Sequence, residues 1–409
     1  MKTFGILVGG GPAPGINGVI GAATMVARRR GHRVVGIVDG FQWLMRGDTT
    51  HTRELAEAEV AGIHLQGGSI IHTSRANPQK KPENLANVLR SLDSLGVTDL
   101  ITIGGDDTAS SANRLAEEAG GRIGVVHVPK TIDNDLPLPD GVPTFGFETA
   151  REHGTTVVER IAMDMQTTNR WFFIVMMGRS AGHLALGAGK AAGAPITLIP
   201  EEFPDPPIRI DDIVRTLEGA IVKRLSQGRP DGVAVIAEGV ASAMDPGDPL
   251  LADTPKDEHG HVRLAEVPLA RVLRTAVVES LGGRGVKVAI GEKDVGYELR
   301  CGYPCAFDRD YTRDLGVGAV ETLLARTSGC LITRQAGAIV PVPFKEIIDP
   351  QTHKSRVRAV DVESDSYRNA LALQERVSAE DLADPARLAA LAEAAQLSPE
   401  ETRSRYAPL

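Results

Sequence analysis

Leu100-Ile101-Thr102-Ile103-Gly104-Gly105-Asp106-Asp107-Thr108 and Ile123-Gly124-Val125-Val126-His127-Val128-Pro129-Lys130-Thr131-Ile132-Asp133-Asn134-Asp135 share one grammar, an apolar run followed by an acidic loop. Short apolar runs bounded by turn residues read as buried strands of a parallel sheet. Ligands of open parallel sheets bind outside the carboxyl ends of the strands. The two loops are therefore expected to face one crevice, carrying Asp106, Asp107, Asp133 and Asp135 with Lys130 among them. Unpaired carboxylates so placed raise one another's pKa, a conflict that a hard cation and an anionic substrate resolve. The pattern points to Mg2+-assisted phosphoryl transfer.

The alternation extends outward. Residues 3–9 read as a strand, 16–30 as a helix and 33–38 as the next strand, a βαβ opening. Helices are expected over 83–95 and 109–119, leading into and out of the first acidic motif. Downstream, helices over 145–166, 181–190 and 211–227 alternate with strands over 171–177, 196–199 and 232–237. Residues 246–260, rich in Asp and Pro, read as an exposed loop, followed by a helix over 266–281, a strand over 286–290 and a helix over 311–327. Residues 379–396 read as one amphipathic helix, an appended cap or interface element. The expectation is an α/β fold of two Rossmann-like lobes with mainly parallel sheets, the active site in the cleft between them and an extra C-terminal helical segment. The lobes are assigned to residues 1–140, open to completion by a later segment, and 141–340, with 341–409 as a partly helical extension.

Composition narrows the function. The 409 residues suffice for two lobes. A formal net charge of −8 argues against a nucleic-acid surface as the main purpose, and 4% aromatic residues argue against base stacking. Cys301, Cys305 and Cys330 lack the second pair that a zinc ribbon needs and read as reduced thiols. Gly9-Gly10-Gly11-Pro12 cuts the N-terminal apolar run too short for a signal peptide, and no stretch approaches the roughly 18 apolar residues of a membrane span. A cytoplasmic enzyme with neither nucleic-acid nor membrane partner is expected.

The loop from Gly9 to Asn17 can bring backbone N–H groups to an anion at a helix start, or can be only a tight strand-to-helix turn. It is not a Walker loop, since no Gly-Lys-Ser/Thr follows. Asp106 can hold Mg2+, and Thr108 can cap the next helix or donate to a phosphate. Among 130–135, one carboxylate can take a hydroxyl proton, and Lys130 supplies a point charge for a phosphate. Arg170 precedes the strand that Met177-Gly178-Arg179 ends; arginine forks match phosphate oxygens, though a surface or interdomain ion pair is the favoured reading of a lone Arg. Glu238 also ends an apolar strand. Arg300 is not placed by pattern, and His64, His72 and His127 read as structural histidines.

Over residues 3–340 the chain resembles the phosphofructokinases. The resemblance is carried by the glycine loop, Thr73-Ser74-Arg75, residues 104–108 and 130–135, Met177-Gly178-Arg179, Ala237-Glu238-Gly239, and residues 296–304 followed by Ala306-Phe307-Asp308, in the family's order. It implies phosphoryl transfer to the C1 hydroxyl of fructose 6-phosphate, with Asp133 as general base, Thr131 beside the transferring phosphate, Arg179 as a phosphate clamp in catalysis, and Asp106 as a Mg2+ carboxylate supported by Asp135. At the donor it implies Gly11, Arg75, Asp107, Thr108 and Lys130. At the sugar phosphate it implies Met177, Gly178, Arg179, Glu238, Tyr297 and Arg300 beside Thr131 and Asp133, with Lys287 or Lys293 as a further cation. Arg170 is implied to reach a neighbouring subunit's 6-phosphate, hence a homodimer or homotetramer. Residues 1–140 would then be the phosphoryl-donor lobe and 141–340 the sugar-phosphate lobe.

Two departures set the donor. ATP-using members place glycine where this chain has Asp107 and Lys130, and both changes resemble the pyrophosphate-dependent branch, as does Tyr297 in place of a histidine. Pro12 replaces an acidic residue of the more usual glycine loop. A carboxylate at 107 should repel a nucleotide's α-phosphate. At an effective dielectric near 20, two unit charges about 4 Å apart cost roughly 4 kcal/mol, and about 1.4 kcal/mol already gives a tenfold preference. The expected reaction is reversible Mg2+-dependent transfer from pyrophosphate. The alternatives are an ATP-dependent 6-phosphofructokinase and a non-catalytic sugar-phosphate-binding regulatory subunit. A dinucleotide oxidoreductase ranks below both: Asp39 suits it, but the acidic motifs are left unexplained.

Overall fold

A strand buried on both faces has to be apolar along its length, and the most apolar runs of this chain become central strands. The structure, a computed structural model, describes residues 1–139, 141–203, 207–251, 267–347, 351 and 356–408. Among them run eleven strands: β1 (Thr3–Val8), β2 (Arg33–Ile37), β3 (Thr52–Glu54), β4 (Asp99–Gly104), β5 (Gly124–Pro129), β6 (Trp171–Met176), β7 (Ile196–Leu198), β8 (Gly232–Ala237), β9 (Ile290–Val295), β10 (Cys330–Gln335) and β11 (Ala338–Pro343). The chain divides into two compact units, Met1–Ala150 with Tyr297–Arg358, and Arg151–Gly296 with Ala359–Leu409.

The first unit holds a seven-stranded sheet of order β11-β10-β5-β4-β1-β2-β3. Its five central strands are parallel, and the edges β3 and β11 are antiparallel. Side chains alternate between faces. Ile6 and Val8 pack toward helices Ile16–Arg29 and Ala306–Leu324, while Leu7 and Leu100 pack toward helices Pro82–Ser94 and Asp106–Ala119. Helices Ile16–Arg29 and Ala306–Leu324 approach backbone to backbone: a Cβ on Gly316 would lie 2.6 Å from the Val19 carbonyl oxygen. Gly104 pairs with Pro129, so β4 and β5 end level and their following segments start side by side.

The second unit holds a parallel sheet of order β7-β8-β6-β9. Met176 pairs with both Ala237 and Val295, so three strands again end level. Trp171, Phe173 and Ile236 pack with helices Ile210–Ser226 and Leu269–Gly283. Leu388, Leu391, Ala395 and Tyr406 join the same core. The C-terminal helical segment therefore completes this core and is not an appended cap.

Other expectations shift for identifiable reasons. The expected single helix over 379–396 is two, Ala379–Ala383 and Pro385–Ala395, because Pro385 cannot continue a helix and Asp384 caps the new one by accepting from the N–H groups of Ala386 (2.8 Å) and Arg387 (2.9 Å). The strand expected over 286–290 lies at Ile290–Val295, where pairing with β6 overrides the polar Glu292-Lys293-Asp294. The β10–β11 hairpin was not foreseen; it turns through Ala336 and Gly337, both at positive φ. Of the expected loop 246–260 and helix 266–281, residues 252–260 and Glu266 lie outside the described residues, and the helix runs Leu269–Gly283.

Asp308 is a structural anchor of the first unit. Its carboxylate, fully buried, accepts from the Gly146 N–H (2.8 Å), the Thr149 N–H (2.9 Å) and the Thr149 hydroxyl (2.5 Å). Burial pushes its pKa above the ordinary carboxylate range, against the opposing hydrogen bonds. Replacing it with alanine strands three donors without an acceptor. Asp308→Ala is expected to cost about 3 kcal/mol, read as a lower urea midpoint at unchanged m-value.

Candidate active site

Because β4 and β5 end level, one backbone oxygen can organise both acidic segments. The Gly104 carbonyl accepts from the Lys130 N–H at 2.8 Å, and His127 Nε2 lies 3.0 Å from the same oxygen. Burial, reinforced by the Lys130 charge, pushes the His127 pKa down to about 3, against the Gly104 hydrogen bond. The neutral ring then donates from Nε2 to Gly104 and accepts at Nδ1 from the Thr102 hydroxyl, 2.8 Å away. His127 is structural, in agreement with its lack of metal-ligand spacing.

Lys130 turns its ammonium back toward the glycine loop. The residue is 5% exposed, and Nζ donates to the Gly11 carbonyl. A Cβ on Gly10 would lie 3.4 Å from Nζ, and one on Gly11 would lie 3.7 Å from Arg300 Cζ, so both positions border on cations. Burial, the Arg300 charge and the Arg75 charge pull the Lys130 pKa down to about 8, while Asp133 and Asp135 oppose them. Gly11, Arg75, Lys130, Asp133, Asp135 and Arg300 thus form one electrostatic neighbourhood. The glycine loop is pinned there by the Gly10 N–H on the Ser74 carbonyl (2.8 Å) and the Thr73 hydroxyl on the Gly10 carbonyl (2.8 Å), which leaves Arg75, exposed, beside it. The Arg300 guanidinium stands 4.7 Å from the ring centroid of Tyr297, itself 77% exposed.

The first acidic segment is not a loop. Asp106 and Asp107 are the opening residues of helix Asp106–Ala119, with Gly105 at the N-cap. Carboxylates favour this end of a helix dipole, which is why the helix starts earlier than its apolar pattern suggests. Thr108 does not cap. Its side chain is buried under two glycines, where a Cβ on Gly9 or Gly104 would come within 2.3 Å and 2.4 Å of its hydroxyl. The second segment is a true turn. The Asp133 N–H donates to Thr131 Oγ1 (3.0 Å), the Thr144 hydroxyl donates to the Thr131 carbonyl (2.8 Å), and Asn134 Oδ1 accepts from the Thr144 N–H (3.0 Å). Sequence reading passed over Thr144 because patterns are blind to side chains that bond backbone ten or more residues away.

The second unit groups Met177, Gly178, Arg179 and Glu238. The Glu238 N–H donates to the Met176 carbonyl (2.9 Å), and the Glu238 carboxylate accepts from the Gly178 N–H (3.3 Å). Gly178 sits at φ 137°. A Cβ on Gly239 would lie 2.9 Å from the Arg179 carbonyl oxygen, so the two segments meet through glycine. Arg170 is not in this group. It precedes β6, one six-residue strand away, roughly 20 Å, and donates to the Thr168 hydroxyl (3.1 Å). Lys293 lies two residues from the carboxyl end of β9, whereas Lys287 precedes its amino end. Among the described residues no group of three or more His, Cys, Asp or Glu is placed to hold a metal ion.

Residues 3–323 match the family described as Phosphofructokinase. The chain is 50% identical to the pyrophosphate–fructose 6-phosphate 1-phosphotransferase of Thermotoga maritima, over 99% of this chain and 98% of that protein. It is 48% identical to the protein of the same description from Naegleria fowleri, over 98% and 94%. The structure superposes on phosphofructokinase from Saccharomyces cerevisiae with a TM-score of 0.68 at 23% identity, covering 99% of this chain and 48% of that one, so the chain spans about half of the yeast subunit.

Lys130 carries a direct test of this geometry. Its ammonium is charged below, and neutral above, a midpoint near 8, against about 10.4 for an unperturbed lysine. Between those values the unfolded chain binds the proton more tightly, so this group's contribution to stability rises with pH. A lysine 15N NMR titration should show one ammonium with a midpoint near 8, absent in Lys130→Met.

Proposed function

The chain belongs to the phosphofructokinase family, and on that premise we propose that it transfers a phosphoryl group reversibly from pyrophosphate to the C1 hydroxyl of fructose 6-phosphate, giving fructose 1,6-bisphosphate and phosphate. The observation that carries the donor assignment is the buried Lys130 ammonium at the Gly11 carbonyl, beside Arg75 and Arg300. Three cations against a short glycine loop suit a compact, highly charged donor. Asp107 is exposed in the first helical turn, and in this reading its negative charge would repel a nucleotide's further phosphate. Exposure screens that charge below the roughly 4 kcal/mol of a pair at 4 Å, but a tenfold preference needs only about 1.4 kcal/mol.

In the proposed reaction Asp133 takes the C1 hydroxyl proton, the C1 oxygen bonds to the near phosphorus, the bridging P–O bond breaks and phosphate leaves. Thr131 Oγ1 accepts from the Asp133 N–H, which frees its own O–H to donate to the transferring phosphoryl group. Gly11, Arg75, Thr108 and Lys130 hold the donor, Thr108 by seating the glycine loop. Arg179 clamps the phosphoryl group. Met177, Gly178, Glu238, Tyr297 and Arg300 contact the sugar phosphate, and Lys293 fits the further cation better than Lys287. Arg170, at the far end of β6, fits a role toward a neighbouring subunit, hence a homodimer or homotetramer. Asp106 and Asp135 are the residues that would hold Mg2+. Mg2+ takes one or two carboxylates and completes its shell with water and phosphate oxygens, so a closed cage of protein ligands is not required. When bound it neutralises charge between the phosphates. No helix of the described residues is long and apolar enough to cross a membrane, and the proposed location is the cytoplasm.

Initial rates with fructose 6-phosphate and Mg2+ test the donor. Pyrophosphate should support turnover, ATP should be at least about 100-fold poorer, and Asp107→Gly should gain roughly tenfold in ATP use. A wild-type preference for ATP would overturn the donor assignment, and no turnover with either would point to a regulatory subunit. Asp133→Asn should lower kcat by about 10²–10⁴-fold with the thermal midpoint unchanged.

A further inference from the structure

The turn that carries Asp133 and Asp135 is fastened by a residue far along the chain. Arg358 lies beyond the family match, which ends at residue 323, in a stretch without regular secondary structure. Its Nε donates to the Asn134 carbonyl (3.0 Å), its Nη1 to the Val142 carbonyl (2.7 Å) and its Nη2 to Asn134 Oδ1, while its backbone N–H donates to the Asp135 carbonyl (2.8 Å). One guanidinium thus ties the start of the 134–142 segment to its end. Only a planar fork reaches acceptors in this arrangement; an ammonium is a single point donor.

Asn134 is the residue this fork grips, and it has an unusual backbone. Its φ is 56°, in the left-handed region that asparagine tolerates better than most residues. It stands between Asp133 and Asp135, so its backbone angles set the direction in which both neighbouring carboxylates leave the chain. Thr144 holds its side-chain oxygen from one side and Arg358 from the other. Without the guanidinium, the Asn134 and Val142 carbonyls lose a charged donor and the left-handed turn loses half its frame.

We propose that Arg358 is a positioning residue for phosphoryl transfer: by clasping Asn134 and Val142 it holds Asp133 and Asp135 at the angle their roles require. The inference rests on the proposed reaction, and it makes activity depend on a segment outside the matched family region.

The test compares Arg358→Ala, Arg358→Lys and Val357→Ala, whose side chain is 54% exposed and serves as a neighbouring control. A displacement near 1 Å costs on the order of 100-fold, so both Arg358 variants should lose about that much kcat, with KM for either substrate little changed and the thermal midpoint lowered. Guanidinium ion, far below denaturing concentrations, should restore part of the rate of Arg358→Ala. Hydrogen exchange over residues 130–145 should quicken in both variants and not in Val357→Ala. If Arg358→Ala does not fold, Arg358→Lys decides. A kcat within about twofold of wild type, or a rate loss without faster exchange in 130–145, would overturn the positioning role. Exchange is read without turnover, so a wild-type protein inactive with pyrophosphate would overturn the reaction while leaving the clasp itself measurable.

Discussion

Burial of the Lys130 ammonium is the constraint around which the first unit's loops are arranged. A buried cation is costly unless oxygens surround it. This one sits at the end of β5 with the Gly11 carbonyl as its acceptor and the Asp133 and Asp135 charges nearby. Two like charges, Arg75 and Arg300, push the other way, and together with burial they bring its pKa to about 8. Burial is the largest of these effects, and the three cations stand with Asp133 and Asp135 in one electrostatic neighbourhood. Lys130 cannot move without disturbing the loops it joins, since its N–H holds Gly104 and its side chain holds Gly11.

The two units solve the same problem in the same way. Level strand ends set functional segments side by side, Gly104 with Pro129 in one and Met176 with Ala237 and Val295 in the other. Neutral hydrogen bonds then fix the backbone: Thr73 and Ser74 at the glycine loop, Thr144 at the 131–134 turn, His127 at Gly104. His127 illustrates the division of labour. Kept neutral by burial, it orients a carbonyl without adding to the local charge. Asp308 does corresponding work in the same unit, its buried carboxylate holding Gly146 and Thr149.

Much of this was legible in the sequence. The apolar runs of β4, β5, β6 and β8 fell where the structure has strands, because strands buried on both faces leave a continuous apolar signature. Edges were harder. The polar centre of β9 and the half-exposed β11 are strands because a neighbour pairs with them, and pairing leaves little trace in composition, whereas β10, buried from Cys330 to Thr333, left an apolar signal. The Ala336-Gly337 turn and the Asp384-Pro385 break were visible signals that went unread. Asp106 and Asp107 read as a loop because acidic residues interrupt apolar periodicity, yet the helix dipole welcomes them in a first turn. The site's charged residues stood out by type, whereas its frame did not: Thr144 and Arg358 act through backbone oxygens 13 and 224 residues away, distances at which no local pattern operates.

Exchange of phosphoryl groups between pyrophosphate and a sugar bisphosphate, with no nucleotide, can be followed in the reverse direction. Fructose 1,6-bisphosphate, inorganic phosphate and Mg2+ would be incubated with the protein in nucleotide-free buffer and followed by 31P NMR. A pyrophosphate resonance should grow as bisphosphate is lost, and neither change should occur in Asp133→Asn. Absence of pyrophosphate, with ATP formed instead once ADP is supplied, would contradict pyrophosphate as the donor.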